Sequence, residues 1–159
     1  MDSSNKKEIE ALLKNNTWTI VPLHEGKKAV RCKWIFSIKH KADGTVERYK
    51  ARLVAKGYTK TYRVDYQETF SPVARLSTIR VLLSLAANLN WPLHQFDVKN
   101  AFLHGDLKEE VYMELPLGYT TSTETKVVYK LQRALYGLKQ SPRAWFRRFS
   151  LAMRKYGFK

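Results

Sequence analysis

The chain has 159 residues, of which 44% are hydrophobic and 13% aromatic; this is enough apolar material for one domain with a core and excludes a disordered tail. Lys plus Arg number 29 against 14 acids, a formal charge of +15 with a sequence pI near 10.0. A polyanionic partner is therefore expected, nucleic acid before a membrane surface, and the single Cys32 excludes an internal disulfide or a multi-cysteine zinc site.

In chain order, "SSNKKEIEALLKNNT" predicts a short amphipathic helix capped by Ser3 or Ser4, with Ile9, Leu12 and Leu13 at helical spacing. Asn15 and Asn16 end it. Because it begins almost at Met1, the chain is expected to start inside a larger element. "TWTIVP" then predicts a strand stopped by Pro22.

The strongest local pattern is "VRCKWIFSIKHKADGTVERYKARLVAKG". Val30, Cys32, Trp34, Phe36 and Ile38 alternate with more polar neighbours, as in a half-buried strand. Asp43-Gly44 predicts a two-residue type I′ turn, which pairs Ile38 with Tyr49, Phe36 with Ala51, Trp34 with Leu53 and Cys32 with Ala55. The other face then carries Arg31, Lys33, Lys39, Arg48, Lys50, Arg52 and Lys56 with no acid among them. Like charges opposed across a hairpin repel. A solvated strand face is the bland reading; a phosphate-bearing partner relieves the repulsion and adds charge-assisted hydrogen bonds. The hairpin is expected to grip nucleic acid, a nucleoside triphosphate, or both.

Further on, "TIRVLLSLAANLN" predicts a helix capped by Ser77, with Ile79, Leu82, Leu83 and Ala86 on one face and Pro92 past its end. "LHQFDV", "EVYMEL" and "KVVYKL" predict short strands. "SPRAWFRRFSLAMRKYGF" predicts a helix with Ser141 as N-cap, Pro142 at the first helical position and an apolar stripe of Trp145, Phe149, Ala152 and Met153. This order defines an α+β chain without the regular alternation of a doubly wound fold. There is no apolar run of about 18 residues and no signal-peptide pattern, so a soluble, unsecreted, intracellular protein is expected. The histidines His24, His40, His94 and His104 show no ligand spacing.

Asp97 stands between Phe96 and Val98 in "HQFDVKNAF". An acid in an apolar run is costly to bury unless something binds it, so Asp97 reads either as a metal ligand or as an ordinary acid at a strand end. Asp106, Glu109 and Glu110 sit in "HGDLKEE", a predicted polar turn, and are expected to be solvated, as are Asp65 and Glu68.

Six collinear stretches covering nearly the whole chain change that balance: "NNTWTIVP", "CKWIFSIK", "DGTVERYKARLVAKGYT", "ETFSPVARLSTIR", "LHQFDVKNAFLHGDLKEEVYMELPLGY" and "LYGLKQSPRAWF". Together they resemble the reverse transcriptase (RNA-directed DNA polymerase) of copia-type retrotransposons. The resemblance implies one partial domain over 1–159, with a basic β-hairpin and antiparallel palm strands of a right-hand polymerase. About 1–90 and 107–140 would be fingers, and 91–106 and 141–159 partial palm.

It implies Asp97 as the first catalytic aspartate and a ligand of Mg²⁺, with the backbone carbonyl of Val98 as a further ligand. Phe102 matches the aromatic that lies under the sugar and excludes a 2′-hydroxyl, and Asn100 and Ala101 lie where main-chain amides approach the triphosphate. Lys39, Lys50 and Arg52 are candidate triphosphate contacts. Tyr136, Gly137, Lys139, Ser141 and Pro142, in "YGLKQSP", resemble the stretch that lines the template and the incoming base pair. The implied partners are an RNA/DNA template–primer, deoxynucleoside triphosphates, and the rest of a Pol polyprotein (remaining palm, thumb and RNase H), with no membrane. The family's Tyr-x-Asp-Asp hairpin does not occur in the chain. Two-metal transfer on one carboxylate is not expected, so this chain alone is expected to be inactive and marginally folded. The alternative is a nucleic-acid-binding remnant of a degenerate element.

Overall fold

A computed structural model describes residues 2–59, 69, 71, 74–117, 119 and 127–158. Asp65 and Glu68 lie outside the described residues.

Helix α1 (Asp2–Lys14) opens the chain, with Ser3 and Ser4 inside its first turn. It ends as expected: Asn16 takes a left-handed φ of 48°, and Thr17 donates both its amide and its hydroxyl to the Leu12 carbonyl, at 3.1 and 2.7 Å. Leu12 is fully buried and Ile9 packs on the core, whereas Leu13 faces solvent.

Strand β1 (Trp18–Pro22) pairs antiparallel with β6 (Val127–Arg133), which pairs antiparallel with β5 (Asp106–Met113); the two-residue β2 (Ala29–Val30) adds to β5 in parallel. The sheet order is β1-β6-β5-β2. Trp18 stacks on Tyr129 with centroids 4.3 Å apart, and Val30, Val111, Met113 and Leu131 fill the same core. The expected antiparallel palm strands are corrected here. The sheet is mixed, its strands come from 18–30, 106–113 and 127–133, and residues 91–98 ("WPLHQFDV") form no strand.

Strands β3 (Cys32–His40) and β4 (Val46–Ala55) form a separate two-stranded sheet. Cys32↔Ala55, Trp34↔Leu53, Phe36↔Ala51 and Ile38↔Tyr49 pair as the apolar alternation requires. The turn differs from the expected one. Lys41 N–H donates to Thr45 O at 2.9 Å, so Ala42-Asp43-Gly44 is a three-residue loop with only Gly44 at positive φ (81°). Asp43 Oδ1 accepts from the Thr45 amide and hydroxyl at 2.9 and 2.6 Å, and a bulge beyond Lys39 restores the register. The extra loop residue and the bulge cancel. The hairpin's apolar face is covered only at its base, where Ala51, Leu53 and Ala55 are buried; Phe36, Ile38 and Tyr49 are exposed.

Helix α2 (Leu76–Asn88) begins after Arg75 with no side-chain cap, Ser77 lying inside the helix, and of its described residues only Ala86 is buried. Helix α3 (Ser141–Lys155) follows Gln140 as N-cap and packs its first half against β5 and the 3₁₀ turn Ala101–His104. No helix among the described residues is long and apolar enough to cross a membrane.

Candidate functional site

Three sequence-distant pieces meet at the base of the hairpin. The first is the end of β4, where alternation turns Leu53 and Ala55 into the core and Arg52 away from it. The second is the loop 134–140, anchored by Leu135 and Leu138 in the core. The third is the Ala101–His104 turn, pinned by buried Leu103 and entered through Asn100 at φ 52°.

The loop lies directly on the strand. Ala55 N–H donates to Tyr136 O at 2.8 Å, and Gly137 follows at φ 90°. A Cβ at Gly137 would stand 2.0 Å from Ala55 O, and one at Gly57 would stand 2.5 Å from Gly137 O, so both backbones need glycine to come this close. Tyr136 is thereby held half-buried between two other expected site residues. The Arg52 guanidinium sits 4.8 Å from its ring centroid, and the Phe102 ring meets its edge at 4.8 Å and 61°. Arg52, Tyr136 and Phe102 thus form one continuous surface of a cation and two aromatic rings.

The other expected residues are placed less alike. Asn100 and Ala101 are half-buried in the turn that carries Phe102. Lys39 is exposed opposite Arg48, whereas Lys50 is half-buried next to Arg52. Burial, then Arg52, Arg48 and Lys39, holds the Lys50 ammonium below the usual lysine range, with Glu8 opposing. Lys139 and Pro142 are exposed. Ser141 is fully buried and donates its hydroxyl to Leu135 O at 2.6 Å, so it secures the loop from inside.

Asp97 and Val98 lie in the exposed 91–98 segment, and Asp97 is not in an apolar enclosure. Among the described residues no group of three or more His, Cys, Asp or Glu side chains converges to hold a metal ion. The described residues therefore do not form a two-metal centre.

Sequence reasoning missed two charged groups. Glu8 of α1 is half-buried beside Arg52 and Lys50; burial raises its pKa, offset in part by the Leu53 amide and by those cations. Only the helical phase of α1 marks it, since Ile9 next to it points inward. Glu110 is corrected from a turn acid to a strand residue: it bridges Lys130 at 2.7 Å and Lys27 at 3.1 Å, which lowers its pKa to about 2. Asp106 likewise sits at the start of β5, paired with Arg133.

Comparison with known proteins identifies the class. Residues 15–159 match the family described as "Reverse transcriptase (RNA-dependent DNA polymerase)", and the chain belongs to that family. Its similar proteins include Pol polyproteins of retrotransposons. The chain is 48% identical over 149 residues to the "Retrovirus-related Pol polyprotein from transposon TNT 1-94" of Nicotiana tabacum (94% of this chain, 11% of that protein). It is 49% identical over 140 residues to that from transposon RE1 of Arabidopsis thaliana (87% and 10%). Identity to the "Transposon Ty1-ER2 Gag-Pol polyprotein" of Saccharomyces cerevisiae is 32% over 152 residues (88% and 8%). The chain spans about a tenth of the length of these curated relatives. No solved structure matches it.

Proposed function

We propose that this chain is the fingers and part of the palm of a copia-type RNA-directed DNA polymerase, with 1–90 and 107–140 as fingers and 91–106 and 141–159 as partial palm. The observation that carries the reading is the convergence of Arg52, Tyr136 and Phe102 at the base of a hairpin rich in cations. In this reading Arg52 faces the triphosphate, with Lys50 and Lys39 continuing the positive row along the hairpin. Tyr136 and Gly137 line the template base pair, Lys139 meets the template backbone, and Pro142 sets the start of α3 beside it. Phe102 supports the sugar, while Asn100 and Ala101 offer main-chain amides. Ser141 holds the loop and touches no substrate.

Within the parent polyprotein the reaction is nucleotidyl transfer from a deoxynucleoside triphosphate to a primer 3′ end, and Mg²⁺ is the ion such transfer uses. In the parent polyprotein Asp97 and the Val98 carbonyl would be this chain's share of the groups that hold the ion. One carboxylate does not fix two ions, so no step is assigned to the chain alone, and the purified chain is expected not to extend a primer on an RNA template. Extension abolished by Asp97→Asn would overturn this.

The chain is expected to bind primer–template with an affinity that falls steeply with salt. Arg52→Ala should weaken it; unchanged affinity and salt slope would sink the assignment. A second reading is a nucleic-acid-binding remnant without catalysis; among the described residues no group of three or more acids or histidines gathers around Asp97. An in-frame Tyr-x-Asp-Asp in the coding sequence beyond Lys159 decides between them.

A further inference from the structure

The strand edges of the two sheets are not equally covered. In the four-stranded sheet, β1 has five residues and ends on Pro22, and β2 at the other edge has two. Edges that are short or end on proline resist pairing with another chain. In the hairpin, β4 is held at its base, where the Leu53 amide meets Glu8 and the Ala55 amide donates to Tyr136 O at 2.8 Å. Strand β3 has nine residues, and among the described residues no strand lies beyond it.

Lys56 N–H donates to Arg31 O at 2.7 Å, so Arg31 turns its carbonyl toward the β4 side. Antiparallel pairing alternates, and Trp34, Phe36 and Ile38 therefore aim their amides and carbonyls away from β4. The register shift comes only after Lys39, so the edge over 34–38 is regular. Its side chains are open too: Ile35, Phe36 and Ile38 are 44%, 47% and 50% exposed. A regular, exposed, apolar edge is a template that an extended segment joins by strand addition.

Charge selects the occupant. Strand β3 carries no acid, and Lys33 and Lys39 flank the open stretch on the face shared with Ile35 and Ser37. On the same face β4 sets Arg52 and Lys50 opposite Ile35 and Ser37. A second copy of β3, paired antiparallel about Phe36, would oppose Lys33 with Lys39 on both sides of the centre, and like charges directly opposed repel. A nucleic acid matches the charge but offers no ladder of amides and carbonyls.

We propose that the outer edge of β3 docks an extended segment of a partner protein in which apolar residues alternate with Asp or Glu. In antiparallel register the apolar residues face Trp34, Phe36 and Ile38 and exchange backbone hydrogen bonds with them. The acids lie opposite Ile35 and Ser37, diagonal to Lys33 and Lys39. This docking stands apart from Arg52, Tyr136 and Phe102 and does not rest on the nucleic-acid reading.

The test is fluorescence anisotropy of the chain with a labelled, end-capped peptide, Thr-Val-Glu-Val-Glu-Val-Thr, which should bind saturably. Methylating the amide nitrogen of its central valine removes the donor to Phe36 O and should weaken binding at least about tenfold. Replacing both Glu by Lys, or using a peptide of the chain's own 33–39 sequence, should weaken it at least about tenfold as well. Phe36→Pro, which removes an outward amide that β4 does not use, should abolish binding. The methylated peptide leaves the protein untouched, so its result stands whether or not that variant folds. No binding of the Glu peptide, or equal binding of the chain's own segment, overturns the assignment. Equal binding of the methylated and unmethylated peptides, with displacement of both by a short RNA, would leave only a cationic surface for nucleic acid and overturn it too.

Discussion

Two apolar regions of this molecule have opposite fates. At the base of the hairpin, Leu53, Leu135 and Leu138 are buried against the four-stranded sheet, with Gly137 pressed on Ala55. In α2 and the segment after it, Leu82 is 54% exposed, Leu93 64% and Phe96 78%. Helical spacing predicts an inward face of Ile79, Leu82, Leu83 and Ala86, yet only Ala86 is buried among the described residues. Amphipathic pattern states which face would be buried; only a packed neighbour buries it. The contrast also explains the unequal definition of the candidate site. Arg52, Tyr136 and Phe102 stand on the packed side and have partners at defined distances, whereas Asp97 stands on the uncovered side in irregular backbone.

The sharpest way to break this contrast is Gly137→Val. A side chain there meets Ala55 O and Val54 Cγ1 and must adopt a positive φ, so a loss on the order of 4 kcal/mol is expected in urea unfolding. Arg52–Tyr136 contact would go with it, read as loss of primer–template binding. Next in size, Leu53→Ala removes a fully buried side chain and should cost about 3 kcal/mol. The matched change on the uncovered side, Leu82→Ala, should stay within about 0.5 kcal/mol. Equal losses at the two leucines would show that α2 is packed in solution. Ser141→Ala removes the shorter of two hydrogen bonds to the buried Leu135 carbonyl, leaving the Leu138 amide at 3.3 Å, and about 1 kcal/mol should disappear from stability.

The smallest effect is electrostatic. Glu110 has a folded pKa lowered from 4.5 to about 2 by Lys130 and Lys27. Its contribution is therefore present above pH 4.5 and fades as pH falls toward 2. Lys130→Met should flatten that part of the acid-unfolding curve; an unchanged curve would show that the surface pair contributes nothing measurable.

Where two strands had to agree, sequence pattern was sufficient. The pairing of Cys32, Trp34, Phe36 and Ile38 with Ala55, Leu53, Ala51 and Tyr49 follows from alternation on both strands, because a one-residue slip would turn every apolar side chain outward. The loop that joins them differs from the expected two-residue turn, since Asp-Gly is compatible with two- and three-residue turns, and a bulge hides the difference from the strands. Helix caps failed for a related reason. Ser4, Ser77 and Ser141 are all good cap residues by type, but each lies inside its helix, and Ser141 spends its hydroxyl on a carbonyl six residues earlier.

Composition, the alternation in the hairpin and the collinear motifs determined that this is a basic α+β chain of the reverse transcriptase family, because each is a local or linear property. Tertiary structure alone decided that β2 joins β5 in parallel, that Glu110 sits between two lysines, and that Arg52, Tyr136 and Phe102 share one surface. Those are contacts between residues tens of positions apart. The last of them exists because two glycine-bearing backbones can approach closely enough for a loop to be laid on a strand, and no periodicity in either segment encodes the other's position.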